Sequence, residues 1–221
     1  MGQTHSEHYD ESYFDWQRKI GEFGGKANFF KFKDTLREHD TVLDFGCGGG
    51  FLLNEITCHR KIGIEPNPSA QAQIKEFGIE LFASSQEALQ RLGEGTVDVI
   101  ISNNALEHTL HPLAELKALY RLLKVGGKIH FVVPCEAIKK SWHPNNINYH
   151  LYSWSPMNLG NLFAEAGFEI IRVAPYIHKW PPHGQFIQET FGWDVFNLAA
   201  RIYGRIERSW YQVEALCQKA G

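Results

Sequence analysis

The stretch Val42-Leu43-Asp44-Phe45-Gly46-Cys47-Gly48-Gly49-Gly50 places an acid, then four glycines around one thiol, where an apolar run stops. Glycine turns tightly at positive φ and lets a ligand approach the backbone with no Cβ in the way. A second acid, Glu65, closes the next apolar run in Gly63-Ile64-Glu65-Pro66-Asn67. It follows the first turn at roughly the twenty-residue distance of a ribose-binding acid in nucleoside-binding folds. A carboxylate there accepts hydrogen bonds from both ribose hydroxyls. The dinucleotide fingerprint G-x-G-x-x-G would require glycine at position 51. Phe51 stands there instead. Asp44 disfavours a pyrophosphate and suits an ammonium group. A ligand with a ribose and a cationic amino-acid end fits this pattern better than a nicotinamide dinucleotide does.

A second group of residues could move protons. Asn103, Asn104 and His108 follow the very apolar run Val97 to Ser102. Further on, Trp142-His143-Pro144-Asn145-Asn146-Ile147-Asn148-Tyr149-His150 crowds polar and aromatic groups into one segment. Histidine is the usual general base near neutral pH. His150 is the first candidate, with His143 and His108 behind it. His178 and His183 flank Trp180, Pro181 and Pro182 with no cysteine or carboxylate nearby, a poor donor set, and no metal is expected. Cys47, Cys58, Cys135 and Cys217 are widely spaced without a C-x-x-C pair, so they read as reduced thiols of a cytoplasmic protein. Arg201, Arg205 and Arg208 fall near one helical face and read as a solvated surface.

The elements that must position these groups alternate. Strands are expected at Thr41–Phe45, Lys61–Glu65, Glu80–Ala83, Val97–Ser102, Lys128–Val133, Phe168–Val173 and Trp210–Cys217. Helices are expected at Phe51–Ile56, Ser69–Phe77, Gln86–Leu92, Pro112–Leu123, Asn158–Ala166 and Phe186–Glu207, the last weakened at Gly192 and Gly204. Strand and helix in alternation give βαβ units and a doubly wound, mostly parallel seven-stranded α/β sheet. Before it, Tyr9, Tyr13, Phe14, Trp16, Ile20 and Phe23 recur at helical spacing. Gly24-Gly25 should break that helix, and Ala27 to Glu38 should form a second one. The expected organisation is a helical lid over residues 1–40 and a binding domain over 41–221, with a helical insertion at 175–208.

The glycine turn resembles the first motif, V-L-D-x-G-x-G-x-G, of the class I S-adenosylmethionine-dependent methyltransferases, matched from Val42 to Gly50 without a gap. Asp98 to His108, ending Asn104-Ala105-Leu106-Glu107-His108, is similar to the fourth-strand motif of the quinone-biosynthesis subgroup. Leu122-Leu123-Lys124-Val125-Gly126-Gly127 resembles the turn before strand five, with valine where proline is usual. The resemblance spans about residues 40 to 174. It implies a Rossmann-like fold and S-adenosylmethionine as cofactor. It places Asp44, Gly46, Cys47, Gly48 and Gly50 at the methionine end, Glu65 with Pro66 at the ribose, and Asn103 and Asn104 beside the crevice. The family often carries an acid after strand three for the adenine. Here Phe82-Ala83-Ser84-Ser85 leaves Ser84, Ser85 or a backbone group for that contact.

Composition narrows the acceptor. The 221 residues carry a net charge of -3, so no broad basic excess exists to neutralise nucleic-acid phosphates. Met1 to Asp10 is polar, which predicts no secretory leader. No apolar run approaches the ~20 residues of a membrane span. The expected reaction is methyl transfer to oxygen or nitrogen of a small molecule: a sugar, a lipid-linked compound or a secondary metabolite. Carbon methylation of a quinone-like ring and cofactor binding without catalysis are the alternatives. The sequence leaves the oligomeric state open.

Overall fold

The computed structural model describes residues 11–68, 71–137, 139–144, 146, 148–208 and 211–221, with side chains from Gly21 onward apart from 71–73. The described residues begin with helix α1 (Glu11–Phe32). It then alternates through β1 (Thr41–Phe45), α2 (Phe51–Asn54), β2 (Arg60–Ile64), α3 (Gln71–Glu76), β3 (Glu80–Phe82), α4 (Ser85–Leu92) and β4 (Val97–Asn103). After these come α5 (Pro112–Leu122), β5 (Leu123–Cys135), α6 (Pro156–Glu165), β6 (Glu169–Tyr176), α7 (Gly184–Ile206) and β7 (Tyr211–Gln218).

The seven strands form one sheet in the order β3-β2-β1-β4-β5-β7-β6. β1 pairs in parallel with both β2 and β4, so the winding reverses between β1 and β4. In open α/β sheets ligands bind beyond the strand ends at such a reversal. β7 enters antiparallel between β5 and β6. All five residues of β1 are buried, as expected of a central strand covered on both faces. Leu43, Ile100, Leu119, Phe131 and Phe163 fill one face of the sheet, and Phe32, Leu53, Ile56, Val99 and Ile101 fill the other. Each such side chain contributes about 1.5–3 kcal/mol by leaving water.

Three expectations change at this level. Gly24-Gly25 does not break the first helix, which runs unbroken to Phe32 and leaves no second helix to Glu38. The glycines are there for close approach. A Cβ on Gly25 would stand 2.7 Å from the Phe51 carbonyl oxygen, and one on Gly21 would enter the Phe51 ring. The strand expected from Lys128 starts at Leu123, because the chain pairs with β4 directly after α5 and bulges past Gly126-Gly127. Of the two glycines in α7, only Gly192 is non-helical, at φ 82°. Gly204 is a packing point, where a Cβ would sit 3.2 Å from the Lys179 backbone nitrogen.

Candidate functional site

The glycine turn is built from its neighbours' backbone. Gly46, Gly48 and Gly50 have φ of 74°, 52° and 77°, a region that side-chain-bearing residues rarely adopt. The amides of Gly46 and Cys47 both donate to the Ile64 carbonyl at the end of β2, at 2.9 and 3.1 Å. The Ser102 hydroxyl secures the other side by donating to the Phe45 carbonyl at 2.7 Å. The turn is thereby wedged between the ends of β2 and β4.

Two carboxyl groups face this turn. Asp44 is only 2% exposed, and its Oδ1 has no hydrogen-bond partner among the described residues. Burial, reinforced by the like charge of Glu65, holds its carboxyl well above the usual carboxylate range. A buried carboxyl in that state gains most from a cationic partner. Glu65 is half-buried and accepts from the Gly48 amide at 3.0 Å and the Asn67 amide at 2.9 Å. Burial raises its pKa, and those two amides pull it back.

A cavity of about 540 Å³ opens above the turn. Asp44, Gly46, Cys47 and Gly48 line its floor, with Asn103, Asn104, His108, Asn148 and His150 on the β4–β5 side. Gly21, Gly24, Gly25, Asn28 and Lys31 of α1 form the roof. Asn104 holds a left-handed φ of 54°, which a short amide side chain tolerates, and strain of this kind concentrates at functional sites.

The histidines meet at one carboxyl group. The backbone carbonyl of Glu107 accepts from the amides of Leu151 and Tyr152, at 2.9 and 3.2 Å, which ties the loop after β5 onto the turn after β4. His150 and His108 then stand ring to ring, with centroids 5.0 Å apart. Glu107 Oε1 lies 3.8 Å from His108 Nε2 and 4.0 Å from His150 Nε2. Glu107 is fully buried, neither of its carboxylate oxygens has a hydrogen-bond partner among the described residues, and burial pushes its pKa up to about 8. On its far side, His150 Nδ1 stands 3.3 Å from Glu136 Oε1, which accepts from Lys140 Nζ at 2.6 Å. Burial lowers the His150 pKa and Glu136 counters it. The three groups Glu107, His108 and His150 offer ligand atoms within 4.8 Å of one another, a donor set able to pass a proton or to hold a divalent cation.

Most of the other sequence candidates lie outside the cavity lining. His143 is exposed and does not line the cavity. Glu65, Pro66 and Gly50 are not among the residues that line the cavity. The Ser84 hydroxyl caps α4 by accepting from the Glu87 amide at 3.1 Å, and the buried Ser85 hydroxyl bonds to Glu115, so both are already engaged. His178 is buried and lines the cavity, with its Nε2 2.8 Å from Asn197 Oδ1. His183 precedes α7, and Arg201, Arg205 and Arg208 are exposed. The aromatic lid expected over 9–23 lies largely outside the described side chains, as do Asn145 and Ile147 of the loop. Its last member, Phe23, packs against Trp180, Trp193 and Phe196 with ring centroids 5.3 to 5.5 Å apart. The sequence reading missed Lys31 and Gln212. Lys31 interrupts Phe29-Phe30-Phe32, and a lone cation in an apolar run is the signal that could have found it.

Residues 13–173 match the model of a methyltransferase domain family. The ubiquinone biosynthesis O-methyltransferase of Nitrosococcus oceani is 36% identical over 131 residues, 52% of this chain and 55% of that protein. The chain spans about half the length of the curated relatives it matches. A SAM dependent methyltransferase from Archaeoglobus fulgidus shares the fold with a TM-score of 0.65 at 18% identity, over 95% of this chain and all of that one. A Haemonchus contortus phosphoethanolamine N-methyltransferase, solved with phosphomonomethylethanolamine and S-adenosylhomocysteine, gives 0.64 at 13% identity, over 99% of this chain and 59% of that one.

Proposed function

The chain belongs to the methyltransferase-domain family, and from that premise we propose that it transfers a methyl group from S-adenosylmethionine to oxygen or nitrogen of a small-molecule acceptor. The observation that carries this reading is Asp44, a buried carboxyl with an orphaned oxygen on the floor of the cavity, beside three left-handed glycines. That arrangement fits an ammonium-bearing ligand and opposes a pyrophosphate. Asp44 would hold the amino-acid end of the cofactor, the glycine turn its body and Glu65 its ribose. The cofactor supplies an electrophilic methyl group on a sulfonium.

The remaining work is placement and proton removal. Asn104, His108, Asn148 and His150 border the part of the cavity nearest β4 and β5, where an acceptor would lie. His150 is the base in this reading. Glu136 faces its Nδ1, which favours a proton there and leaves Nε2 as the acceptor. Helix α1 covers the cavity at Gly21, Gly24, Gly25, Asn28 and Lys31, which supports reading residues 1–40 as a lid that would limit water at the reacting atoms. Acceptors among sugars, lipid-linked compounds and secondary metabolites all suit a cavity rich in amides. No described helix is long and apolar enough to cross a membrane.

Incubating the protein with methyl-labelled S-adenosylmethionine and metabolite extracts tests the activity. Label in an extractable product is the expected result. Calorimetry with S-adenosylmethionine and NAD separates the cofactor claim from the acceptor claim. Binding of NAD alone would overturn the reading.

A further inference from the structure

Lys31 is 8% exposed, on the inner side of α1, and lines the roof of the cavity. Its Nζ donates to Asn103 Oδ1 at 2.7 Å and to Gln212 Oε1 at 3.2 Å. Gln212 is itself fixed, because its Nε2 donates to Asn104 Oδ1 at 2.8 Å. The ammonium is therefore gripped by two amide oxygens from β4 and β7 and stands 5.9 Å from the centroid of the Tyr176 ring, and its third N–H makes no hydrogen bond among the described residues.

What it lacks is an anion. No carboxylate among the described residues forms an ion pair with Lys31. The cavity's other lysine, Lys179, is paired with Glu207. Proteins rarely bury a charge without pairing it, because taking an ion out of water is costly. Here burial holds the Lys31 pKa down to about 7, against the pull of Glu107. Neutral methionine or leucine would fill a purely structural position in this apolar stretch at less cost. The charge, the two fixed amides and the cavity together describe half of an ion pair.

We propose that Lys31, framed by Asn103 and Gln212, is a subsite for an anionic oxygen of the methyl acceptor, so that the acceptor is an acid or carries an acidic group. The inference rests on the methyltransferase reading of the same cavity. An anionic oxygen could also come from the cofactor's own carboxylate. Asp44 on β1 would take the cofactor's amino group. Lys31 stands between Asn103 on β4, the strand beside β1, and Gln212 on β7, three strands from β1, so its free side opens away from Asp44 toward β5 and β7, where an acceptor would lie, and the cofactor's carboxylate is the alternative that the test separates.

The test uses the full chain saturated with S-adenosylhomocysteine and three probes of matched shape: benzoate, benzyl alcohol and benzylamine. Benzoate should bind most tightly. Lys31→Met should weaken benzoate by about 10- to 100-fold, the scale of a lost charged hydrogen bond, and leave benzyl alcohol unchanged. Because Lys31→Met also removes a tie between α1 and the sheet, Gln212→Glu serves as the second variant. It supplies the missing carboxylate internally and should abolish the preference for benzoate. Affinity for S-adenosylhomocysteine should stay within about twofold in both variants. Benzoate binding no better than the neutral probe overturns the proposal. So does a loss in Lys31→Met that falls on S-adenosylhomocysteine, which would assign the subsite to the cofactor. Failure of the wild-type protein to bind S-adenosylhomocysteine at all would instead overturn the methyltransferase reading.

Discussion

Replacing Glu65 with alanine separates two jobs that this carboxylate can do. In the ligand-free protein it accepts the Gly48 and Asn67 amides at 3.0 and 2.9 Å, and so braces the glycine turn against the segment after β2. Hydrogen bonds to a charged group contribute about 1.5–3 kcal/mol when fully buried. Glu65 is half-buried and water can reach part of the freed backbone, so a total loss of about 2 kcal/mol is expected. For a domain of this size that lowers Tm by about 4–8 °C. Cofactor affinity should fall separately, by about 10- to 150-fold, if the carboxylate also receives the ribose hydroxyls. Thermal melting without ligand reads the first effect, and calorimetry with S-adenosylhomocysteine reads the second. Glu65→Gln keeps one acceptor oxygen and should lie between the two. A lower Tm with an unaltered Kd would make Glu65 a brace alone and refute its assignment to the ribose.

Gly46→Ala should cost about 2–5 kcal/mol in urea unfolding, from left-handed backbone strain and overpacking, because its φ is 74° and a Cβ would stand 2.2 Å from that of Ala105. A loss well below 1 kcal/mol would contradict that geometry. Gly48→Val, at φ 52°, should abolish cofactor binding, and normal affinity in a folded variant would refute this. For Glu107, burial raises the native pKa from 4.5 to about 8, so the native state retains a proton that the unfolded chain has lost between those values. Stability should therefore fall as pH rises across that window, and Glu107→Gln should remove this part of the slope. Lys31, lowered to about 7, contributes in the opposite sense above that pH and is present in both proteins. Identical pH–stability curves for the two proteins would sink the assignment. His150→Ala should lower turnover by about 10²–10⁴-fold with cofactor affinity intact, and a smaller loss would favour placement over base catalysis.

The local pattern of residues was enough to settle the alternation of strands and helices, the glycine turn at the end of β1 and the acids at Asp44 and Glu65. These depend on short-range chemistry: apolar runs of strand length, glycine where φ is positive, and an acid at a strand's carboxyl end. Local rules misread Gly24-Gly25, because a glycine that admits a neighbouring backbone looks the same in sequence as one that breaks a helix. They could not set His150 beside Glu107, since 43 positions separate two residues that meet only when the Glu107 carbonyl captures the amides of Leu151 and Tyr152. Nor could they join Lys31 to Gln212 across the sheet. The place of β7 between β5 and β6 makes that pairing, and strand order is decided by which long-range contacts bury the most apolar surface. The glycine-turn floor of the cavity was therefore legible in one contiguous motif, whereas the wall that holds Lys31, Asn104, His150 and Gln212 is assembled from four distant segments that only folding brings together.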